Sequence, residues 1–324
     1  MAPTGRPIEF GIQTNLHQTT FDEVLATWQL VEREGLDHAW TYDHLMPLFS
    51  NPEGPNLEGW TTLAALMTQV PRIRAGVLVP CNPFRPPIVT AKMAVTVDQL
   101  SGGRLEMALG AGWWEPEFRH YGIEWAPLPE RLAQMDEAIQ VMQSLWTQDR
   151  TTFEGAYYTI RDAPFQPKPV QQPHLPLWIG GRGKKYTLRM AAKYADGWNV
   201  WTLPREDYLE RLALLDQYCE QEGRDPRSVR RSLAARMRID RSSEAARAAM
   251  MTEGTASGEE LPEGFEELIN QALAGSPEEI AEQIGEFAEL GVDHIVLLTD
   301  PPYDQEGLTR FAREVVPLVR AAGL

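Results

Sequence analysis

Residues 177–192 read LWIGGRGKKYTLRMAA, and this stretch decides how the rest of the chain is interpreted. Its first three residues are apolar and typical of a short buried strand, the next four hold three glycines, and a helical pattern follows. Glycines let the backbone approach an anion closely, and the free N–H groups at a helix N-terminus favour negative charge. The stretch is therefore interpreted either as a phosphate-binding turn or as a tight strand-to-helix turn. In the second interpretation its basic residues Arg182, Lys184 and Lys185 are simply solvated.

The same alternation of strand and helix recurs along the whole chain. Eight apolar runs, separated by segments with helical spacing, predict strands at residues 8–13, 38–42, 74–79, 105–109, 177–179, 198–201, 229–239 and 294–298. Most of these runs are continuously apolar, as expected for parallel strands that are covered on both faces. No GxGxxG motif follows the first predicted strand, which disfavours an open Rossmann sheet. The sequence therefore predicts an α/β protein built as a closed (β/α)8 TIM barrel.

The predicted domain organisation is a single barrel domain over residues 1–324 with two insertions. The first insertion, at about 147–176, combines an aromatic hairpin pattern with a proline-rich extended strap. The second insertion, at about 242–274, is rich in alanine, glutamate and glycine, and it predicts a helix, a mobile loop and another helix.

Composition and charge disfavour several classes of function. The 324 residues carry a formal net charge of −16, which disfavours binding to nucleic acid or to an anionic membrane. The two cysteines, Cys81 and Cys219, are too few for a disulfide framework, and the histidines lack metal-ligand spacing, so we expect no bound metal. The sequence has neither a signal-peptide pattern nor an apolar run of about 18 residues, and we expect a cytoplasmic protein.

In a parallel barrel, functional residues follow the carboxyl ends of the strands. His44, just after the second predicted strand, is the best acid–base candidate because a histidine side chain ordinarily titrates near neutrality. The alternative is a packed, hydrogen-bonded histidine. Asp43 either orients His44, binds a ligand hydroxyl or caps a helix. Glu115, with Glu117 close to it, is interpreted as a general acid or as an ordinary surface carboxylate.

Other strand ends supply small and aromatic residues. The segment GAG at 110–112 either lets a planar ring lie against the backbone or forms an ordinary turn. Trp113, Trp114 and Trp201 either wall an apolar substrate pocket or only pack. Cys81, in the loop after the third strand, is interpreted as lining the site, because the sequence identifies no base that could activate it as a nucleophile.

Several short segments follow one another along the chain in a characteristic order. They are TYDHL at 41–45, KMA at 92–94, DQLSGGRL at 98–105, LGAGW at 109–113 followed by Glu115 and Glu117, YGI at 121–123, FEG at 153–155, PKP at 167–169, LWIGGRG at 177–183 and AKYADGW at 192–198. Together they resemble the luciferase-like monooxygenase superfamily, and within it the oxidoreductases that use the deazaflavin coenzyme F420. The resemblance covers nearly the whole chain.

The resemblance implies a bacterial luciferase-like barrel, often a homodimer, that binds F420 or FMN at its carboxyl-terminal mouth. The backbone of the glycine-rich turn would hold the cofactor phosphate at Gly180, Gly181, Arg182 and Gly183. The residues near the deazaflavin and its ribityl chain would be Asp43, Cys81, Asn82, Ala111 and Gly112. A cis non-proline peptide at Leu78–Val79 would lie behind the ring, and His44 matches a histidine that donates or accepts the proton.

We therefore predict an F420-dependent oxidoreductase that transfers a hydride between F420 and an organic small-molecule substrate. The alternative is an FMN-dependent luciferase-like monooxygenase, and a third possibility is a flavin-binding protein without catalytic activity. Sugar-phosphate dehydrogenases of the F420 branch carry a glutamate directly after the strand-4 glycine, where this chain has Trp113. The tryptophans instead indicate a flatter, more apolar substrate. Arg182, Lys184 and Lys185 are candidates for contacting the oligoglutamate tail of F420.

Overall fold

The computed structural model describes residues 5–48, 50–256 and 265–324. Its strands are β1 (Glu9–Thr14), β2 (His38–Thr41), β3 (Arg74–Val77), β4 (Leu105–Leu109), β5 (Arg150–Glu154), β6 (Thr159–Pro164), β7 (Leu177–Gly180), β8 (Gly197–Trp201), β9 (Arg230–Ile239), β10 (Leu273–Gly275) and β11 (His294–Thr299). Among these residues, the eight parallel strands β1, β2, β3, β4, β7, β8, β9 and β11 form a closed barrel, because β8 pairs with β9 and β11 pairs with β1. The predicted (β/α)8 barrel is confirmed.

Helices surround the barrel and follow its strands. They are α1 (Phe21–Arg33), α2 (Gly59–Met67), α3 (Pro87–Ser101), α4 (Glu115–His120), α5 (Leu128–Thr147), α6 (Thr187–Tyr194), α7 (Arg205–Gln221), α8 (Ser243–Ala256), α9 (Phe265–Asn270), α10 (Pro277–Glu289), α11 (Gln305–Arg310) and α12 (Val316–Ala321). Two of them begin with complete capping boxes, Thr20 with Glu23 in α1 and Ser276 with Glu279 in α10, as the sequence predicts. No helix in the described part of the chain is long and apolar enough to cross a membrane.

Three local features differ from the sequence prediction. The short helix α4 was not predicted, and neither was β10, which pairs in parallel with the end of β9. The closing helix, predicted as one element over 307–322, is interrupted by a π-helical turn at Phe311–Val315 before α12. Pro317, in the first turn of α12, lacks the N–H that a regular helix would use there.

The two predicted insertion regions contain different structures. In the first, β5 and β6 form an antiparallel hairpin, and the strap that follows is tied to α3 by Asp98, whose carboxylate accepts the N–H of Val170 at 2.7 Å. In the second, α8 and α9 lead into β10, and the loop expected between the two helices lies outside the described residues. The division into one domain with two insertions stays a prediction.

Side chains fill the barrel interior up to its mouth. A middle layer consists of Trp40, Leu78, Ala108, Trp178, Ala234 and Val296. Towards the amino ends of the strands, the buried rings of His38 and His294 stack with their centroids 3.8 Å apart. The Trp40 indole N–H donates to Nδ1 of His38 at 2.9 Å. Because these layers are packed, a ligand can reach the strands only from their carboxyl ends.

Candidate active site

The floor of the mouth is the Val79 side chain. The Leu78–Val79 peptide is cis, as the resemblance implies. Val79 lies against Gly110 and Gly180 at the ends of β4 and β7, and a Cβ atom at either glycine would come within 2.5 Å of a Val79 methyl group. The two glycines therefore leave the space that the valine occupies, and together they form a smooth apolar surface at the bottom of the site.

The loop after β3 is fixed to the end of β2 through Asp43. The buried Asp43 carboxylate accepts the backbone N–H of Cys81 at 2.7 Å and two hydrogen bonds from the Arg85 guanidinium at 2.8 and 2.9 Å. Arg85 also donates to Glu58 at 2.7 Å. The Asp43 side chain therefore anchors a loop and does not orient the His44 ring, which corrects the first of the roles predicted for it from the sequence.

Glu117 is the carboxylate that contacts His44. Its Oε2 lies 2.9 Å from Nδ1 of His44, and its Oε1 accepts the backbone N–H of Leu45. The Glu117 side chain is 1% exposed and that of His44 14% exposed, so the pair is shielded from bulk water. An ionised carboxylate can only accept a hydrogen bond, so an ionised Glu117 would require the proton on Nδ1 and would leave Nε2 for chemistry in the mouth. The carbonyl of His44 is held by the Asn56 side chain at 2.7 Å.

Glu115, interpreted from the sequence as a general acid or as a surface carboxylate, pairs with Arg119 and not with His44. Glu115 accepts from Nε of Arg119 at 2.8 Å, one turn further along α4, and the Arg119 side chain is largely exposed while that of Glu115 is 40% exposed. Glu115 and Glu117 are two positions apart on a helix and therefore point in different directions. The sequence contains no local signal that tells which of the two faces β2.

Three tryptophans form one wall of the mouth. The rings of Trp113 and Trp114 lie 5.9 and 6.1 Å from the His44 ring, centroid to centroid. Trp113 also meets Trp201 edge-to-face at 6.2 Å, so the aromatic surface extends from the end of β2 to the end of β8. Trp113 and Trp201 are 52% and 40% exposed, which leaves apolar ring surface facing the opening. The structure brings together the three predicted pocket tryptophans.

The loop residues predicted near the ring pack beside the floor. Asn82 donates its backbone N–H to the Gly110 carbonyl at 2.9 Å, and its side chain lies 3.4 Å from the Tyr158 hydroxyl. Gly112 has φ of 78°, and a Cβ there would lie 2.9 Å from Sγ of Cys81. Burial raises the pKa of the Cys81 thiol, which agrees with its interpretation as a lining residue. The carbonyl of Ala111 accepts from Arg131 at 3.0 Å.

The glycine-rich turn after β7 presents unused backbone donors. Gly181, with φ of 128°, donates its N–H to the Asn199 carbonyl at 3.0 Å, so this N–H is not available to a phosphate. In the described chain the N–H groups of Arg182 and Gly183 donate no hydrogen bond. A Cβ at Gly183 would lie 2.7 Å from Oγ1 of Thr187, the first residue of α6. Lys184 is paired with Glu210 at 2.5 Å.

A second polar group lies on the other side of the mouth and was not predicted as a site. Asp300, after β11, accepts from Nδ2 of Asn15 and from the guanidinium of Arg236 on β9. Tyr303 donates its hydroxyl to the Asn15 carbonyl at 2.6 Å. Asn15 and Asp300 both follow predicted strands and so belong to the strand-end residues, but no chemistry was assigned to them from the sequence. The Arg236 partner comes from the middle of a long predicted strand and gave no such signal.

Comparison with known proteins gives one family and several relatives. The family described as luciferase-like monooxygenase matches residues 7–294. An F420-dependent glucose-6-phosphate dehydrogenase from Microbacterium testaceum is 28% identical over 97% of this chain and 98% of its own length. An FMNH(2)-dependent dimethylsulfone monooxygenase from Pseudomonas putida is 27% identical over 90% of this chain and 86% of its own.

Solved structures share the fold. An F420-dependent secondary alcohol dehydrogenase, in complex with an F420-acetone adduct, superimposes with a TM-score of 0.82 at 22% identity, covering 97% of this chain and 99% of the other. A coenzyme F420 dependent tetrahydromethanopterin reductase from Methanopyrus kandleri gives a TM-score of 0.80 at 19% identity, covering 96% and 99%. At these identities the likeness concerns the barrel architecture alone.

Proposed function

Because the chain belongs to the luciferase-like monooxygenase family, we propose that it is an oxidoreductase that binds coenzyme F420 at the barrel mouth and exchanges a hydride with an organic small molecule. The observation that carries the proposal is the shielded His44–Glu117 pair beside the Val79 floor. The proposal is supported by the relatives named as F420-dependent dehydrogenases, which match almost the full length of the chain.

The residues present fit a planar cofactor that carries a phosphate. The apolar floor made by Val79 with Gly110 and Gly180 suits the face of a ring, since no side chain projects from either glycine. The N–H groups of Arg182 and Gly183 would hold the phosphate. When bound, F420 supplies the two-electron hydride chemistry.

In this proposal His44 exchanges the proton that accompanies the hydride. Its Nε2 faces the mouth, and it accepts the proton from a substrate hydroxyl in the oxidative direction or donates it to a carbonyl oxygen in the reductive one. Glu117 is a positioning residue: its buried carboxylate fixes the ring through Nδ1 at 2.9 Å. The tryptophan wall excludes water from the substrate side.

The substrate of the dehydrogenase relatives is not carried over to this chain. Their printed name specifies glucose 6-phosphate, whereas the wall beside His44 consists of Trp113, Trp114 and Trp201. A second candidate function is FMN-dependent oxygenation, which the dimethylsulfone monooxygenase relative supports at similar identity.

A side-by-side titration of the purified protein with F420 and with FMN tests the proposal. We expect quenching of F420 fluorescence with saturation at micromolar cofactor and weaker binding of FMN. Tighter binding of FMN, with oxygen consumption when reduced FMN is supplied, would favour the monooxygenase. Failure to bind either cofactor would contradict both functions.

A further inference from the structure

Arg236 and Asp300 form an ion pair that faces the barrel mouth. Along β9, Ala234 belongs to the interior layer, and side chains two positions apart share a face, so Arg236 points to the same side. Along β11, Val296 and then Leu298 pack in the interior, which places Asp300 on that side as well. The two side chains, 33% and 29% exposed, thus meet at the rim of the mouth.

The strands that carry the two pairs are near neighbours, since β1 alone separates β11 from β2 in the barrel. The Tyr42 ring lies 5.1 Å from the His44 ring, and its hydroxyl lies 3.4 Å from Nδ1 of His17. His17 is close enough to the pair that the charges of Asp300 and Arg236 both act on it, although burial is the main reason that its pKa is lowered. The ion pair and the proposed catalytic pair therefore border one opening.

Asp300 cancels the positive charge that β9 presents to this opening. Its carboxylate is doubly held, by Arg236 and by the amide of Asn15. Burial by itself raises the pKa of Asp300, but the Arg236 charge and these hydrogen bonds outweigh it, and the pKa lies below the usual value. At neutral pH an incoming anion would thus meet a carboxylate next to an arginine whose charge is already compensated.

The tryptophan wall, which reaches the strand next to β9, also disfavours a charged ligand. Trp113 and Trp201 offer ring surface that a phosphate or a carboxylate would have to cover, at a cost in desolvation without a new hydrogen bond from the rings' faces. Leu298 adds an apolar side chain below the ion pair. An uncharged group of moderate size can fill the same space at no electrostatic cost.

We infer that the site takes an uncharged, largely apolar alcohol or carbonyl compound and excludes phosphorylated and carboxylated ones, with Asp300 as the residue that makes this selection. The inference rests on the proposed function for the reaction, but the selection against anions is a property of the mouth itself. We therefore expect that removing the Asp300 charge leaves the Arg236 guanidinium able to bind an anion.

The test measures anion binding by calorimetry, with glucose 6-phosphate and inorganic phosphate as probes. The protein is first saturated with whichever of F420 and FMN binds, so that the turn at Arg182 and Gly183 is occupied. We expect Asp300→Asn to bind both probes at least about tenfold more tightly than the wild type, because the asparagine keeps the size but not the charge. Adding Arg236→Met to that variant should return the affinity to the wild-type level.

Asp162→Asn is the matched control. It removes the same charge from the exposed Arg150–Asp162 pair on the β5–β6 hairpin. We expect its phosphate affinity to equal that of the wild type. A gain equal to that of Asp300→Asn would show a general charge effect and would overturn the inference.

Two further results would overturn the inference. One is a wild-type protein that binds glucose 6-phosphate as tightly as Asp300→Asn does. The other is an Asp300→Asn gain that survives the Arg236→Met substitution. If neither cofactor binds, the proposed function fails. The selection against anions can still be tested by titrating the cofactor-free proteins with phosphate, because the inference concerns only the gain in affinity that Arg236→Met removes.

Discussion

Glu117 and His44 are 73 positions apart in the sequence, and the carboxylate of the first lies 2.9 Å from Nδ1 of the second. The contact joins the short helix after β4 to the loop after β2 and is almost completely shielded from water. It defines which imidazole nitrogen carries a proton and which one faces the mouth. We derive four predictions from this site and from the barrel that supports it.

The first prediction separates Glu117 from Glu115. Glu117→Gln should lower kcat by roughly tenfold to a hundredfold and leave the affinity for F420 unchanged, because the amide still accepts the Leu45 N–H but no longer holds the imidazole as a carboxylate does. Steady-state kinetics, with kcat and KM determined separately, provide the measurement.

Glu115→Gln is the control for this prediction. Its carboxylate contacts only the exposed Arg119 among the described side chains, and we expect kcat within about twofold of the wild type. If the two variants lose activity equally, the assignment of Glu117 as the positioning residue is wrong.

The second prediction concerns the anchor of the loop after β3. Arg85→Met would leave the buried Asp43 carboxylate without its guanidinium partner, and we expect the free energy of unfolding to fall by about 3 kcal/mol. Urea denaturation followed by tryptophan fluorescence measures the effect. Arg150→Met, at an exposed ion pair, should leave the midpoint unchanged; equal losses in both variants would argue against a structural anchor at Asp43.

The third prediction is a loss of stability in acid. Burial lowers the pKa of His38 to about 3 and that of His294 well below its usual value. In the unfolded chain a histidine titrates at about pH 6.5, so below that pH the unfolded state binds more protons than the folded state does. Each neutral histidine therefore contributes stability at neutral pH, and the contribution decreases as the pH falls, by about 1.4 kcal/mol per pH unit.

The measurement for this prediction is the slope of unfolding free energy against pH between about pH 6 and pH 4. We expect His38→Leu to reduce the slope by about one proton equivalent. The variant also loses the hydrogen bond from Trp40, but that loss shifts the whole curve and not its slope. An identical slope in variant and wild type would mean that His38 does not stay neutral in the folded protein.

The order of the barrel elements could be predicted from the sequence because each signal was local. Continuous apolar runs mark strands that are covered on both faces, and residues such as Thr20 and Ser276 mark helix starts through their own capping boxes. The same local reasoning placed His44 and the glycine-rich turn after β7 at the ends of parallel strands, whereas the cis peptide at Leu78–Val79 was implied only by the family resemblance.

The partners of these residues could not be predicted, because they depend on packing between distant segments. Whether Glu115 or Glu117 faces His44 is decided by the rotation of α4 on the barrel. The Arg236–Asp300 pair joins residues 64 positions apart, and neither has a motif around it. Gly181 also shows this limit, since its N–H bonds to the Asn199 carbonyl on a neighbouring strand and is not available to a phosphate.

The fourth prediction is the most direct test of the central claim that F420 binds on the Val79 floor. It compares the affinity for F420, from fluorescence quenching, in the wild type, Gly180→Ala and Gly285→Ala. The new Cβ in Gly180→Ala would lie 2.5 Å from a Val79 methyl group, whereas in Gly285→Ala, within α10, the nearest atom would be a Leu324 methyl group 3.8 Å away. We predict micromolar binding by the wild type and Gly285→Ala, and a loss of at least about tenfold in Gly180→Ala. Equal F420 affinity in all three proteins, or no binding by the wild type, would contradict the claim.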